Sequence, residues 1–209
     1  MNELFENYYF QNLLYCLIVI FLSLSIIKER KKKNTYLKDR MKSLDLNDFA
    51  KISFLFLFIR CLLEIMDYYF KLFDNSIDFT LSFETLFVFF IVRCIIAPIF
   101  EEIIFRFGLF EFISNRIKPL LSIIITSFIF SILHGYDIKE LLLLFLFSIF
   151  WNYLYYKKQN LIYPICLHFI FNFMSFTTFF NINYLFYIIL SITSLIIWLV
   201  FIVKKKVVK

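Results

Sequence analysis

Seven apolar runs separated by short polar or basic segments set the pattern of this chain. The first, residues 8–27, is long enough at 1.5 Å per residue to cross a hydrocarbon core of about 30 Å. Glu3 and Glu6 precede it where a signal peptide would carry basic residues, and no A-x-A cleavage pattern follows, so it is predicted to stay as a transmembrane helix. The remaining runs predict helices over 52–70, 81–113, 120–134, 138–156, 161–180 and 184–203. The third covers 33 residues, too many for one straight crossing. It predicts either a tilted helix that extends beyond the bilayer or a kink at Ala97-Pro98.

Composition and charge sharpen this picture. Of 209 residues, 62% are apolar, with a mean hydropathy of +0.81 and only two glycines and three prolines, as expected of a multi-pass membrane protein. The net charge of +6 would suit nucleic acid, but the basic residues flank the apolar runs and therefore report topology instead. With the N-terminus outside and the C-terminus cytoplasmic, sixteen Lys and Arg face inwards and two, Lys71 and Lys139, face outwards. The fold class is thus all-α, a bundle of about seven transmembrane helices in the cell membrane, with no nucleic-acid partner. Residues 28–50, including Lys31, Lys32 and Lys33, form a solvated cytoplasmic loop near anionic lipid, and the stretch with Asp74 and Asp78 is external. Four cysteines fall in four different runs without CxxC spacing, and read as inert buried thiols.

Candidate chemistry lies where charge interrupts the apolar runs, because a charged side chain at bilayer depth costs at least about 2.5 kcal/mol and needs a partner or a task. In the second run Arg60, Glu64 and Asp67 share one helix face, which predicts an intramembrane ion pair. In the third, APIFEEIIFRFGLF places Glu101, Glu102 and Arg106 together. Glu102 and Arg106 are four apart and pair on one face; Glu101 lies about 100° around the helix and keeps its carboxylate free. The chain has two histidines, both in apolar runs: His134 ends FSILH and His168 begins HFIFN. Asn172, four residues after His168, projects from the same face towards a common ligand.

EEIIFR, FSILH and HFIFN resemble the EExxxR, FxxxH and HxxxN motifs of the CPBP intramembrane proteases, in the family order and on three separate apolar runs. That family, also called Abi, includes CAAX prenyl endopeptidases and proteins linked to bacteriocin processing and self-immunity. The resemblance spans about residues 91–176 and divides the chain into N-terminal helices with a basic loop (1–80), a catalytic helical core (81–180) and a C-terminal helix with a basic tail (181–209), all one integral-membrane domain. Members often carry Gly directly after the motif Arg, whereas Phe107 stands here before Gly108.

Peptide hydrolysis requires a base for water and donors for the oxyanion. Glu101 and His134 suit the first job, His168 and Asn172 the second, in agreement with the glutamate-protease mechanism that the resemblance implies. No cofactor is then needed. The same Glu101, His134 and His168 also match the His2Glu ligand set of catalytic zinc, although HExxH is absent, so a zinc protease stays open. Two further alternatives are a non-catalytic immunity or scaffold protein that keeps these residues as a buried polar network, and a transporter with a proton relay. Complete motifs favour the enzyme over the scaffold, and the absence of inverted repeats disfavours the transporter. The expected substrate is a CAAX-type peptide, a bacteriocin leader or a membrane protein. One tension remains in this reading: Glu101 falls in the inner half of its helix and His134 at the outer end of the next, so their contact demands a kinked third helix or a deeper fourth.

Overall fold

The computed structural model describes residues 2–70, 83–135, 137–177, 180 and 183–207. Among these residues it is wholly helical, with seven helices: α1 (Asn2–Lys32), α2 (Leu46–Phe70), α3 (Phe83–Ser114), α4 (Pro119–Ile132), α5 (Ile138–Lys158), α6 (Ile162–Thr177) and α7 (Tyr184–Val207). A short 3-10 turn, Leu37–Arg40, follows α1. Three segments, Phe83–Ser114, Ile138–Lys158 and Tyr184–Val203, are long and apolar enough to cross a membrane. The 14-residue α4 and 16-residue α6 are also apolar but reach only about 21 and 24 Å. The segment with Lys71, Asp74 and Asp78, and the side chains of Lys204, Lys205 and Lys206, lie outside the described residues.

Local signals explain most boundaries. Pro119 starts α4, where its missing N–H costs nothing, and Gly135 takes the positive φ of +66° in the turn beyond. Asp137 caps α5, its Oδ1 accepting from the Lys139 and Glu140 amides at 2.9 and 3.0 Å. Gln159 ends the same helix in the left-handed conformation. The long α3 departs from the expected kink in a specific way. Its turns widen into π-helix over Phe90–Ile96 and again over Ile103–Phe110, on either side of an α-helical Ala97–Glu102. Pro98 has no N–H to donate, and the wide turn just before it lets the Ala97 amide reach the Val92 carbonyl instead of continuing the α-ladder.

The chain divides into two compact units. The first comprises residues 1–42 and 81–169. Its core gathers Ile103, Phe107 and Phe110 of α3, Ile123 of α4, Tyr155 of α5 and Leu161, with Ile26 and Ile27 of α1 packed against them. Glu111, near the end of α3, ties this unit together: Arg30 pairs with its carboxylate, Arg40 Nε lies at 2.8 Å and the Tyr155 hydroxyl donates to it. The Leu161 amide donates to the Arg40 carbonyl at 2.7 Å and Asn160 Nδ2 to the Lys42 carbonyl at 3.1 Å. Residues 30–42, expected as a solvated loop, are therefore anchored at these points, while Lys31, Lys32 and Lys33 stay exposed.

The second unit comprises residues 43–80 and 170–209, with α2 alongside α7. Cys61, Met174 and Tyr187 form its centre. The ion pair expected on α2 is present, Arg60 to Glu64 at 2.5 Å, and Arg60 also donates to Ser175 Oγ at 3.1 Å. All four cysteines are free thiols.

Candidate active site

The α-helical segment between the two π stretches of α3 presents Glu101 and Glu102 to different neighbours, as their 100° offset requires. Glu102 is fully buried. Its Oε2 lies 2.9 Å from Arg106 Nε and its Oε1 lies 2.9 Å from His168 Nδ1. Arg106, also fully buried, donates through Nη2 to Ser148 Oγ of α5 at 3.0 Å and sets its guanidinium over the rings of Phe130 and Trp151, at 4.7 and 5.6 Å. An arginine at this depth is thus neutralised by one carboxylate and covered by aromatic faces, the arrangement a buried cation needs.

Glu101 meets a phenol and two imidazoles. Its Oε1 accepts from the Tyr15 hydroxyl of α1. Its Oε2 lies 3.8 Å from Nε2 of both His134 and His168. Each imidazole is oriented from its other nitrogen. His134 Nδ1 is 2.7 Å from the Phe130 carbonyl, and since a carbonyl only accepts, Nδ1 carries the proton. His168 Nδ1 donates to Glu102, and the ring stacks on Trp151 with centroids 4.6 Å apart. The two Nε2 atoms are thereby left to face Glu101.

Phe130 explains the spacing of FSILH. Its carbonyl orients His134, while its ring packs on His134 at 4.6 Å, on His168 at 5.8 Å and on Phe105 at 4.9 Å. The expected tension in depth dissolves on the same helix pair. His134 sits in the turn just past α4, and at 1.5 Å per residue it is about 22 Å from Pro119. Glu101 is about 20 Å from the end of α3 at Ser114. The two side chains are level because α4 is short.

Five of the six residues singled out in the sequence, Glu101, Glu102, Arg106, His134 and His168, therefore meet within the first unit. Asn172 stands half-buried one turn beyond His168 on α6, in the second unit. Ser131 and Ser175 spend their hydroxyls on carbonyls of their own helices, at 3.0 and 3.2 Å. Sequence reasoning missed Tyr15, Ser148 and Trp151. Ser148, with Asn152 one turn on, is a polar pair inside an apolar run, a signal that was readable; Asn152 donates to Ser127 at 2.8 Å. Nothing in the sequence marks Tyr15.

For zinc, the donor set Glu101, His134 and His168 fits in kind. Donors around a tetrahedral zinc with bonds of 2.0–2.1 Å lie about 3.4 Å apart, closer than the 3.8 Å found here. Among the described residues no group of three His, Cys, Asp or Glu is placed to hold a metal ion.

Residues 83–174 match the family model described as Type II CAAX prenyl endopeptidase Rce1-like. The matched segment contains Glu101, Glu102, Arg106, His134, His168 and Asn172, whereas Tyr15 lies outside it. Comparison with curated proteins and with solved structures gives no match.

Proposed function

We propose, from the match of residues 83–174 to the Rce1-like family model, that the chain is an intramembrane endopeptidase of the CPBP/CAAX type that hydrolyses a peptide bond of a membrane-associated protein, with Glu101 as the base. One observation carries the assignment of roles. Glu101 Oε2 lies 3.8 Å from Nε2 of both His134 and His168, so the three atoms converge on one point. The attacking water is placed at that point in this reading.

In the proposed reaction Glu101, assisted by His134, takes a proton from water as its oxygen bonds to the scissile carbonyl carbon. The carbonyl oxygen becomes an oxyanion, and donors aimed at it supply the main stabilisation. His168 donates from Nε2 when it carries both protons, with Glu102 at 2.9 Å as its counter-charge. Asn172 joins it on the strength of the HxxxN spacing, four residues along one helix. The carbon–nitrogen bond then breaks and the proton taken from water passes to the leaving amine. Glu102 and Arg106 do not touch the substrate in this scheme; they hold His168. In a zinc version Glu101, His134 and His168 would hold the metal, which would lower the pKa of its bound water.

The test compares membrane peptides by mass spectrometry from cells that carry the wild-type protein and cells that carry Glu101→Gln. A set of cleavage products present with the first and absent with the second, at equal protein levels, is the expected result. Identical peptide sets from both would remove Glu101 as the base.

A further inference from the structure

We propose that Tyr15 of α1 is a positioning residue for Glu101, an inference that rests on the base assigned above. The family match begins at residue 83, so nothing in that comparison bears on Tyr15. Its hydroxyl donates to Glu101 Oε1 across 86 residues of sequence. A carboxylate has two oxygens and one torsion that decides which of them faces a given direction. Holding Oε1 on α1 turns Oε2 towards the two imidazoles, where it lies 3.8 Å from each.

The ring of Tyr15 is itself fixed. The Arg93 guanidinium lies over it, 5.8 Å from the centroid, and also over Phe89 at 5.9 Å. Arg93 belongs to the π stretch two turns before Glu101, so α3 supplies both the carboxylate and the cation that brackets its tyrosine. α1 is seated against α3 by a second contact lower down: a Cβ at Gly108 would come within 2.9 Å of Ile26 Cδ1, so only the smallest residue leaves Ile26 undisturbed. Ser23 of α1 adds a third, donating to the Phe100 carbonyl at 3.1 Å, next to Glu101 in sequence. Register between α1 and α3 is thus set at Tyr15, Ser23 and Ile26. The first helix is part of the site rather than an added membrane anchor.

Displacing a reacting group by about 1 Å can cost on the order of a hundredfold in rate without weakening substrate binding. Tyr15→Phe keeps the ring and its contact with Arg93 and removes only the hydroxyl. The expected result is a fall of about 10 to 100-fold in kcat with KM within about twofold. The second readout needs no turnover: the infrared carboxylate stretch of Glu101, isolated as the difference between wild type and Glu101→Gln, should change in the Tyr15→Phe background because one oxygen has lost its donor. An unchanged band overturns the proposal whatever the rate. A changed band with wild-type kcat also overturns it, since the contact then positions nothing that matters. A changed band together with full proteolysis by Glu101→Gln leaves the contact standing and sinks the choice of Glu101 as base. Tyr15→Leu, which also loses the ring, should lose at least as much activity as Tyr15→Phe; wild-type kcat in Tyr15→Leu would overturn the proposal as well.

Discussion

Removing Glu102 should unfold the site more than it should slow it, and the structure gives the size of the effect. Glu102 and Arg106 are both fully buried, with 2.9 Å between charged atoms, and Glu102 also receives the His168 Nδ1 proton. Breaking a buried pair by deleting one partner costs about 3–5 kcal/mol, because the other charge stays in a low-dielectric surround. Loss of the acceptor for His168 adds about 1–3 kcal/mol. Ser148 and the faces of Phe130 and Trp151 remain around Arg106, but none carries negative charge. Glu102→Met is therefore expected to lose about 4–8 kcal/mol in all. Glu102→Met with Arg106→Met removes the orphaned cation and should recover most of that, leaving about 1–3 kcal/mol for the histidine. Equilibrium unfolding in detergent, followed by tryptophan fluorescence, measures both, since Trp151 stacks on His168 within the site. A single variant within about 1 kcal/mol of wild type, or a double variant less stable than the single one, would refute the reasoning.

Four further outcomes follow from the same geometry. His134→Ala and His168→Ala should each lose most proteolysis in a purified assay, since each ring brings its Nε2 to 3.8 Å from Glu101. Asn172→Ala should lose about 10² to 10³-fold in kcat and Asn172→Asp more, because a carboxylate repels an oxyanion; near-normal cleavage by both would take Asn172 out of the mechanism. Extensive treatment with a strong chelator should leave activity in place, and stoichiometric zinc that leaves and returns with activity would establish the metal route instead. Gly108→Leu should destabilise the protein by about 1–3 kcal/mol through overpacking against Ile26, whereas Gly108→Ala should be milder, since Ile26 Cδ1 is the end of a flexible side chain; thermal unfolding separates the two.

Much of this was legible in the sequence because it depends on residues close together along the chain. The Arg60–Glu64 and Glu102–Arg106 pairs are i,i+4 relations, which any helix enforces. The boundaries of the later helices were legible to within a few residues, since Pro119, Gly135 and Asp137 act locally, whereas α1 runs on to Asn2 and Lys32 beyond the apolar run 8–27 and α2 starts at Leu46, ahead of the run 52–70. The π stretches of α3 were not, because over seven or eight residues an apolar pattern does not distinguish a wide turn from an α turn. Glu111 was passed over for a different reason. It reads as an ordinary charge at a helix end, and only the fold brings Arg30, Arg40 and Tyr155 onto it, from 81, 71 and 44 residues away. Tyr15 escaped notice likewise: one tyrosine among thirteen has no local mark, and its partner lies 86 residues on.

The second half of α3 sets out three carboxylates in unlike surroundings, and the contrast is what motivates the proposed role of Glu101. Glu111 meets two guanidinium groups and a phenol. Glu102 meets a guanidinium and an imidazole. Both carboxylates are thus held in buried ion pairs with guanidinium groups. Glu101, one residue from Glu102, meets a phenol and two imidazoles instead. A single residue of helical offset, about 100°, turns it from the Arg106 side to the histidine side. The adjacent pair is thus held differently: Glu102 pairs with Arg106 and accepts from His168, while the proposed mechanism assigns the proton of water to its neighbour Glu101.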